Sequence, residues 1–292
     1  MSFSTNVKEE LETVISASRH CQVAELAAII HFGCEIGENE KEIKIISENP
    51  SVTRKYFTLL KKTFIINGTI DKVLQAVKVL DERGQIHPLT EEIDPVLLKN
   101  SCCRRAFLRG AFLCLGSMSD PHKGYHLEFV CEHEPWAIQI RQAAAGFDIE
   151  TKIIRRKKYY VVYIKEGAGI VDLLNVMGAH RALMQFESLR VEKEVRNSIN
   201  RQVNCEAANI TKTVHAASKQ IEDIEYLKKY YGLSNLPDGL RAMAEVRLEH
   251  PESSLAELGG YLNPPVGKSG VNHRLRKLGE LVEKIKGKEE KS

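Results

Sequence analysis

The sequence predicts an α+β protein in which a tandem, pseudo-symmetric domain is followed by an all-helical region. Three observations carry that prediction. Helix-period and strand-period segments alternate up to about residue 178, after which only helix-period segments follow. Before that point a single order of elements recurs at a nearly constant spacing. Near the C-terminus a short helix, a tight turn and a longer cationic helix stand in succession.

The elements follow in order. Val23 to Phe32 is an apolar run long enough for a buried helix, Glu42 to Ser47 alternates as a strand does, and Pro50-Ser51 opens a helix through Thr63. Leu26-Ala27-Ala28-Ile29-Ile30 matches Leu108-Arg109-Gly110-Ala111-Phe112 at an offset of 82. Ile43 to Ile46 matches His126 to Phe129 at 83, as does Phe64 with Phe147. Val73, Val77 and Leu80 match Ile170, Leu174 and Met177 at 97. The second copy therefore holds residues that the first lacks, and they lie in Glu150 to Glu166, which reads as strand, turn and strand. The expected unit is helix-strand-strand-helix-strand-strand-helix, with one hairpin missing from copy one. Copies at about 1–84 and 100–180 make a domain over 1–180, and a helical linker, read as a helix pair, covers 181–235. A compact helical unit over 236–286 and a charged tail over 287–292 complete the chain.

Composition narrows the function classes. A chain of 292 residues with 43% hydrophobic content is one large domain or two ordinary ones, which excludes disorder and collagen-like repeats. Lys and Arg number 42 against 39 acids, so any nucleic-acid surface must be local. Seven cysteines with Cys102-Cys103 as the one close pair write neither a disulfide framework nor a paired-thiolate zinc site. With no long apolar span and no secretory start, the chain reads as cytoplasmic, with no membrane partner.

In the helical region, Val271, Leu275, Leu278, Val282 and Ile285 fall within about 80° on a helical wheel, a core-facing stripe. The opposite face carries Ser269, His273, Arg276 and Glu280, flanked by Asn272 and Lys277. Leu255, Leu258 and Leu262 give a short preceding helix that begins near Ser253 or Ser254, and Asn263-Pro264-Pro265-Val266-Gly267 is a stop and a turn. This is the order of a helix-turn-helix. Lys268 to Lys277 holds Lys268, Arg274, Arg276 and Lys277 with no acid; Asn and Arg there suit base edges, while Ser269 and the helix N-terminus suit phosphate. An ordinary solvated amphipathic helix is the competing reading. A second basic element is the hairpin around Arg155, Arg156, Lys157 and Lys158, interleaved with Tyr159, Tyr160 and Tyr163. It suits a DNA groove or backbone, and equally the protection of an exposed sheet edge.

Enzyme readings find less support. His122 and His126 straddle Gly124 before a strand, Gly167-Ala168-Gly169 lacks the third glycine of a dinucleotide loop, and no nucleophile has an evident base.

Several segments resemble the WhiA family of bacterial regulators: Glu25-Leu26-Ala27-Ala28-Ile29-Ile30, Arg104 to Phe112 with Gly116 to Pro121, Asn200 to Asn209, and Lys268 to Leu278. The resemblance covers essentially the whole chain. It implies an N-terminal domain similar to LAGLIDADG homing endonucleases, a linker and a C-terminal helix-turn-helix. The implied role is binding of double-stranded DNA at the nucleoid, in transcriptional control of sporulation or in cell division and chromosome segregation. In cleaving relatives the eighth motif position supplies a metal-binding acid from each copy; here those positions are Gly33 and Leu115. No catalytic residue, metal or cofactor is therefore expected. A residual metal-dependent endonuclease is the rival from the enzyme class. A platform for a partner regulator or the division machinery, formed by the N-terminal domain, is a third reading and is compatible with DNA binding. Nine acids against four cations over Met1 to Pro50 argue against DNA on that half.

Overall fold

The computed structural model describes residues 2–37, 42–64 and 70–289. The chain divides into two compact units, Met1–Glu194 and Val195–Ser292. The first unit opens with α1 (Phe3–Thr13), capped by Ser2, whose hydroxyl accepts from the Thr5 amide. At its centre lie two helices side by side, α2 (Arg19–Gly33) and α5 (Ser101–Leu115). Every α2 residue from Cys21 to Gly33 is buried, which is why the segment reads as a continuous apolar run and not as a stripe.

From α2 the first copy continues through β1 (Cys34–Ile36) and β2 (Ile43–Ile45) to α3 (Pro50–Thr63) and α4 (Ile70–Ala76). From α5 the second continues through β3 (Gly116–Met118), β4 (Leu127–Cys131), α6 (Glu134–Ala145), β5 (Lys152–Arg156), β6 (Tyr159–Ile164) and α7 (Gly167–Met177). Its sheet is antiparallel in the order β3-β4-β6-β5, whereas β1 and β2 pair with each other alone. Among the described residues, copy one has no counterpart of the hairpin β5-β6.

Two of the repeat offsets need correction. The first strand residue after each central helix is Cys34 in copy one and Gly116 in copy two; the ladders place Ile45 opposite the former and Phe129 opposite the latter. The strand offset is therefore 84, not 83. One residue matters because side chains alternate: at 83 exposed Lys44 would match buried Leu127, while at 84 it matches Glu128 on the outer face. The closing helices differ by more. In α4 the amides of Lys78 and Val79 donate to Gln75 O and Leu74 O; in α7 those of Gly178 and Ala179 donate to Asn175 O and Leu174 O. These are the same C-terminal turn, with Lys78 at φ 58° where the second copy has Gly178 at φ 89°. Residues 74 and 174 are equivalent, so the offset is 100 and not 97.

A third correction concerns the linker. It is a single helix, α8 (His180–Tyr230), not a helix pair. Its N-terminus is capped from α1, since the half-exposed end receives the Glu10 carboxylate on the amides of Arg181 and Ala182 at 2.7 and 2.9 Å. Ala182 and Phe186 belong to the core of the first unit, and Ile224 and Leu227 to that of the second. Between them, residues 194–216 are all exposed.

Candidate DNA interface

The second unit is built on α9 (Asp238–Glu249), α10 (Leu255–Tyr261) and α11 (Lys268–Glu289). Ser254 caps α10 with a complete capping box: its hydroxyl accepts from the Glu257 amide and the Glu257 carboxylate accepts from its own. Leu258, Leu262, Val271, Leu275, Leu278 and Val282 are buried together with Met243 and Ala244 of α9. The angle between α10 and α11 is set by close contact. The Val266 amide donates to Gly259 O at 3.0 Å, and a Cβ on Gly259 would overlap the Val266 carbonyl. Only glycine allows the turn to lie that close to α10. Arg247 is buried and donates to Gln220 Oε1 of α8 and to Ser253 O, fastening α9 to both neighbours.

This packing turns the first three turns of α11 outward. Lys268, Ser269, Asn272, His273, Arg276 and Lys277 are exposed, while Arg274 is half-buried and reaches Gly239 O of α9 at 3.4 Å. The residues do not form one uniform face. Asn272 and Arg276 line a groove of about 370 Å³ with Lys219, Gln220 and Asp223 of α8, and Arg276 is 3.4 Å from Glu280. Lys268, Ser269, His273 and Lys277 lie outside that groove.

The hairpin residues are likewise divided. Arg155 pairs with Tyr160 across the ladder and its guanidinium lies over that ring at 5.8 Å. Arg156 falls on the other face, 3.6 Å from Glu128, whose carboxylate also engages His126 Nε2 at 2.9 Å. Lys157 takes the left-handed turn position at φ 56°, and Lys158 lies over Tyr159. All four are exposed, on the edge strand and the turn of the sheet.

The ends of α2 and α5, where cleaving LAGLIDADG proteins carry their acids, are apolar here. A Cβ on Gly33 would meet Cys114 Sγ at 3.0 Å and Val52 at 3.5 Å. Burial pushes the Cys34 thiol up to about 12 and raises that of Cys114, so both add neutral thiols to this end of the pair. Further along the pair the backbones come close: a Cβ on Gly110 would stand 2.8 Å from Glu25 O and 2.9 Å from Ala28 Cβ. Charge is buried beside this contact. Glu25 Oε1 accepts from Arg109 Nε and from Lys55 Nζ, each at 2.9 Å. Lys55 also donates to Leu11 O and Val14 O, and Arg109 to Met177 O and Ser16 Oγ. The sequence gives no hint of this network, because its members lie on three helices and each looks like an ordinary surface charge.

A duplicated α+β domain with degenerate motif positions, followed by three helices in helix-turn-helix order, defines the class: a LAGLIDADG-like domain joined to a helix-turn-helix. Family models agree with that division. Residues 19–78 match the WhiA N-terminal LAGLIDADG-like domain, 104–196 the WhiA LAGLIDADG-like domain and 199–282 the WhiA C-terminal HTH domain. The chain belongs to the WhiA family. It is 49% identical to the probable cell division protein WhiA of Lachnoclostridium phytofermentans, over 98% of this chain and 100% of that one. It is 45% identical to that of Alkaliphilus oremlandii, over 98% of each. The crystal structure of full-length DUF199/WhiA from Thermatoga maritima superposes with a TM-score of 0.58 at 28% identity, covering 97% of this chain and 99% of that one. Among the described residues no helix is long and apolar enough to cross a membrane.

Proposed function

We propose that this chain binds double-stranded DNA with sequence preference, in the cytoplasm at the nucleoid, and serves transcriptional control of sporulation or cell division and chromosome segregation without cutting DNA. The observation that carries this reading is the start of α11: an exposed helix N-terminus with Lys268, Ser269, Asn272, His273, Arg276 and Lys277 around it, held out by the Gly259 turn. A major groove accepts such a helix, its amides and cations meeting phosphate while Asn and Arg meet base edges. The family model over 199–282 and the relatives' name of probable cell division protein support the role. Gly33 and Leu115 support the absence of cleavage, since neither can hold the metal ions on which phosphodiester hydrolysis by such helix pairs depends.

The test is binding of the full chain to fragments that it enriches from genomic DNA, against random duplexes of the same length. Asn272→Ala and Arg276→Ala should narrow the gap between the two by about 5- to 150-fold, roughly 1–3 kcal/mol each. Lys268→Ala should weaken both DNAs alike. Failure of the unaltered chain to bind duplex DNA at low salt would refute the reading, and metal-dependent nicking of an enriched supercoiled plasmid by the purified chain would refute its non-cleaving aspect.

A further inference from the structure

At the opposite end of the α2-α5 pair, His20, Cys21, Cys102 and Cys103 bring four ligand atoms within 4.8 Å of one another. His20 Nδ1 is 3.1 Å from Cys103 Sγ and 3.4 Å from Cys21 Sγ. We infer that these four residues form a zinc site that clamps the first turns of the two central helices together.

The placement is a product of the duplication. His20 and Cys21 are the second and third residues of α2, and Cys102 and Cys103 are the second and third of α5, 82 positions on. Each helix contributes one buried sulfur, Cys21 or Cys103, and one exposed ligand, His20 or Cys102, so the four atoms straddle the seam between the helices. Three thiolates and one imidazole are a structural zinc set. A tetrahedral ion with sulfur at about 2.3 Å and nitrogen at about 2.0–2.1 Å holds its donors roughly 3.5–3.8 Å apart, so side-chain adjustment alone brings this cluster into register.

The surroundings suit an anionic metal shell. All four residues lie in the first turns of their helices, where the positive end of the helix dipole favours an anion, and neither N-cap, Ser18 or Asn100, uses its side chain to cap. Cys21 and Cys102 line a cavity of about 410 Å³ with Arg105 and Arg109 in its wall, which supplies an access route and positive charge beside the thiolates. On binding, three Zn–S bonds and one Zn–N bond form while the three thiol protons leave to solvent, with no change in oxidation state. All seven cysteines are free thiols, and the other four are not in the cluster. This site is unrelated to the endonuclease metal position: α2 has 15 residues, so Gly33 lies about 20 Å further along the helix.

The experiment uses the full chain purified under reductant and loaded with zinc or cobalt(II). One equivalent of zinc should remain after gel filtration, and the cobalt form should show the thiolate-to-metal charge-transfer band and the strong visible bands of a tetrahedral sulfur-rich site. Cys21→Ser and Cys103→Ser should each lose that equivalent, and Cys205→Ser should keep it. Because those variants could fail to fold, the unaltered chain supplies an independent readout. Cys102 and Cys205 are both exposed. Native alkylation followed by peptide mass spectrometry should modify Cys205 at once, and Cys102 only after the metal is chelated. No retained zinc, a cobalt spectrum without sulfur ligation, or equal alkylation of Cys102 and Cys205 in the zinc-loaded chain would overturn the inference.

Discussion

Lowering the pH should destabilise the first unit through His31. This side chain sits on α2 two residues before Gly33 and is 5% exposed, its Nδ1 3.1 Å from Ala27 O. Burial lowers its pKa from 6.5 to about 4, with the Ala27 carbonyl opposing that shift. The folded pKa is below the unfolded one, so below pH 6.5 the unfolded chain takes up a proton that the folded chain refuses. The stabilisation is thus complete above pH 6.5 and is lost as pH falls toward 4. Linkage gives a loss of about 2 kcal/mol by pH 5 and about 3 kcal/mol by pH 4, a large share of a typical domain's stability. Urea unfolding followed by the fluorescence of Trp136 reads this unit, because Trp136 is the one tryptophan and is buried in its core. His31→Gln keeps a donor for Ala27 O but does not titrate. Comparing it with the unaltered chain between pH 7.5 and 4.5 removes the contributions of the other histidines and of the acids. The difference in stability should shift by about 2 kcal/mol or more across that range; profiles parallel to within about 0.5 kcal/mol would refute the reasoning.

Glu25→Gln leaves Lys55 and Arg109 buried without their shared carboxylate, and should cost about 3–5 kcal/mol in the same urea assay. A cost below about 1 kcal/mol would mean the network is not held as described. A fragment of residues 236–286 lacks Ile224 and Leu227, both fully buried in the second core. It should be less stable than a fragment of residues 217–287 by roughly 3–6 kcal/mol in thermal or urea unfolding, and equal stability would place those side chains outside the core. Replacing Arg155, Arg156, Lys157 and Lys158 by Gln should flatten the dependence of log affinity for duplex DNA on log salt, by about 0.9 for each phosphate that is no longer neutralised. An unchanged slope would leave edge protection as the role of these charges.

The sequence makes some of these elements plain and hides others for definite physical reasons. The helix from Pro50 to Thr63 is legible because proline fits its first turn and Asn49 caps it, its side chain accepting from the Ser51 amide. The register of β2 is not legible: Ile43, Ile45 and Ile46 occupy both parities, so alternation cannot choose a face and only the ladder does. The closing helices are misaligned by three residues because an apolar stripe, moved by nearly one turn, falls close to itself. The helix pair expected over 181–235 rests on its polar middle, yet a helix needs no core along its whole length when both ends are packed. Of the interface, the chemistry of α11 can be read from the wheel, but the groove that Asn272 and Arg276 share with α8 cannot. The cysteine-histidine cluster escapes a search for ligand spacing within one segment. It comes into view when His20-Cys21 and Cys102-Cys103 are compared at the motif-helix offset of 82.

The matching C-terminal turns of α4 and α7 bear on where the two copies differ in length. Both copies begin on a central helix and finish on the same hydrogen-bonded turn, so the length difference is confined between fixed ends. The hairpin β5-β6 lies wholly between those shared ends, so its presence in copy two leaves the closing turn unchanged. Lys78 occupies a left-handed position that Gly178 fills in the other copy without a side-chain penalty. The same turn thus forms in both copies although only one carries the residue best suited to it, so the hydrogen bonds and packing around the junction, and not the residue at its left-handed position, fix its shape.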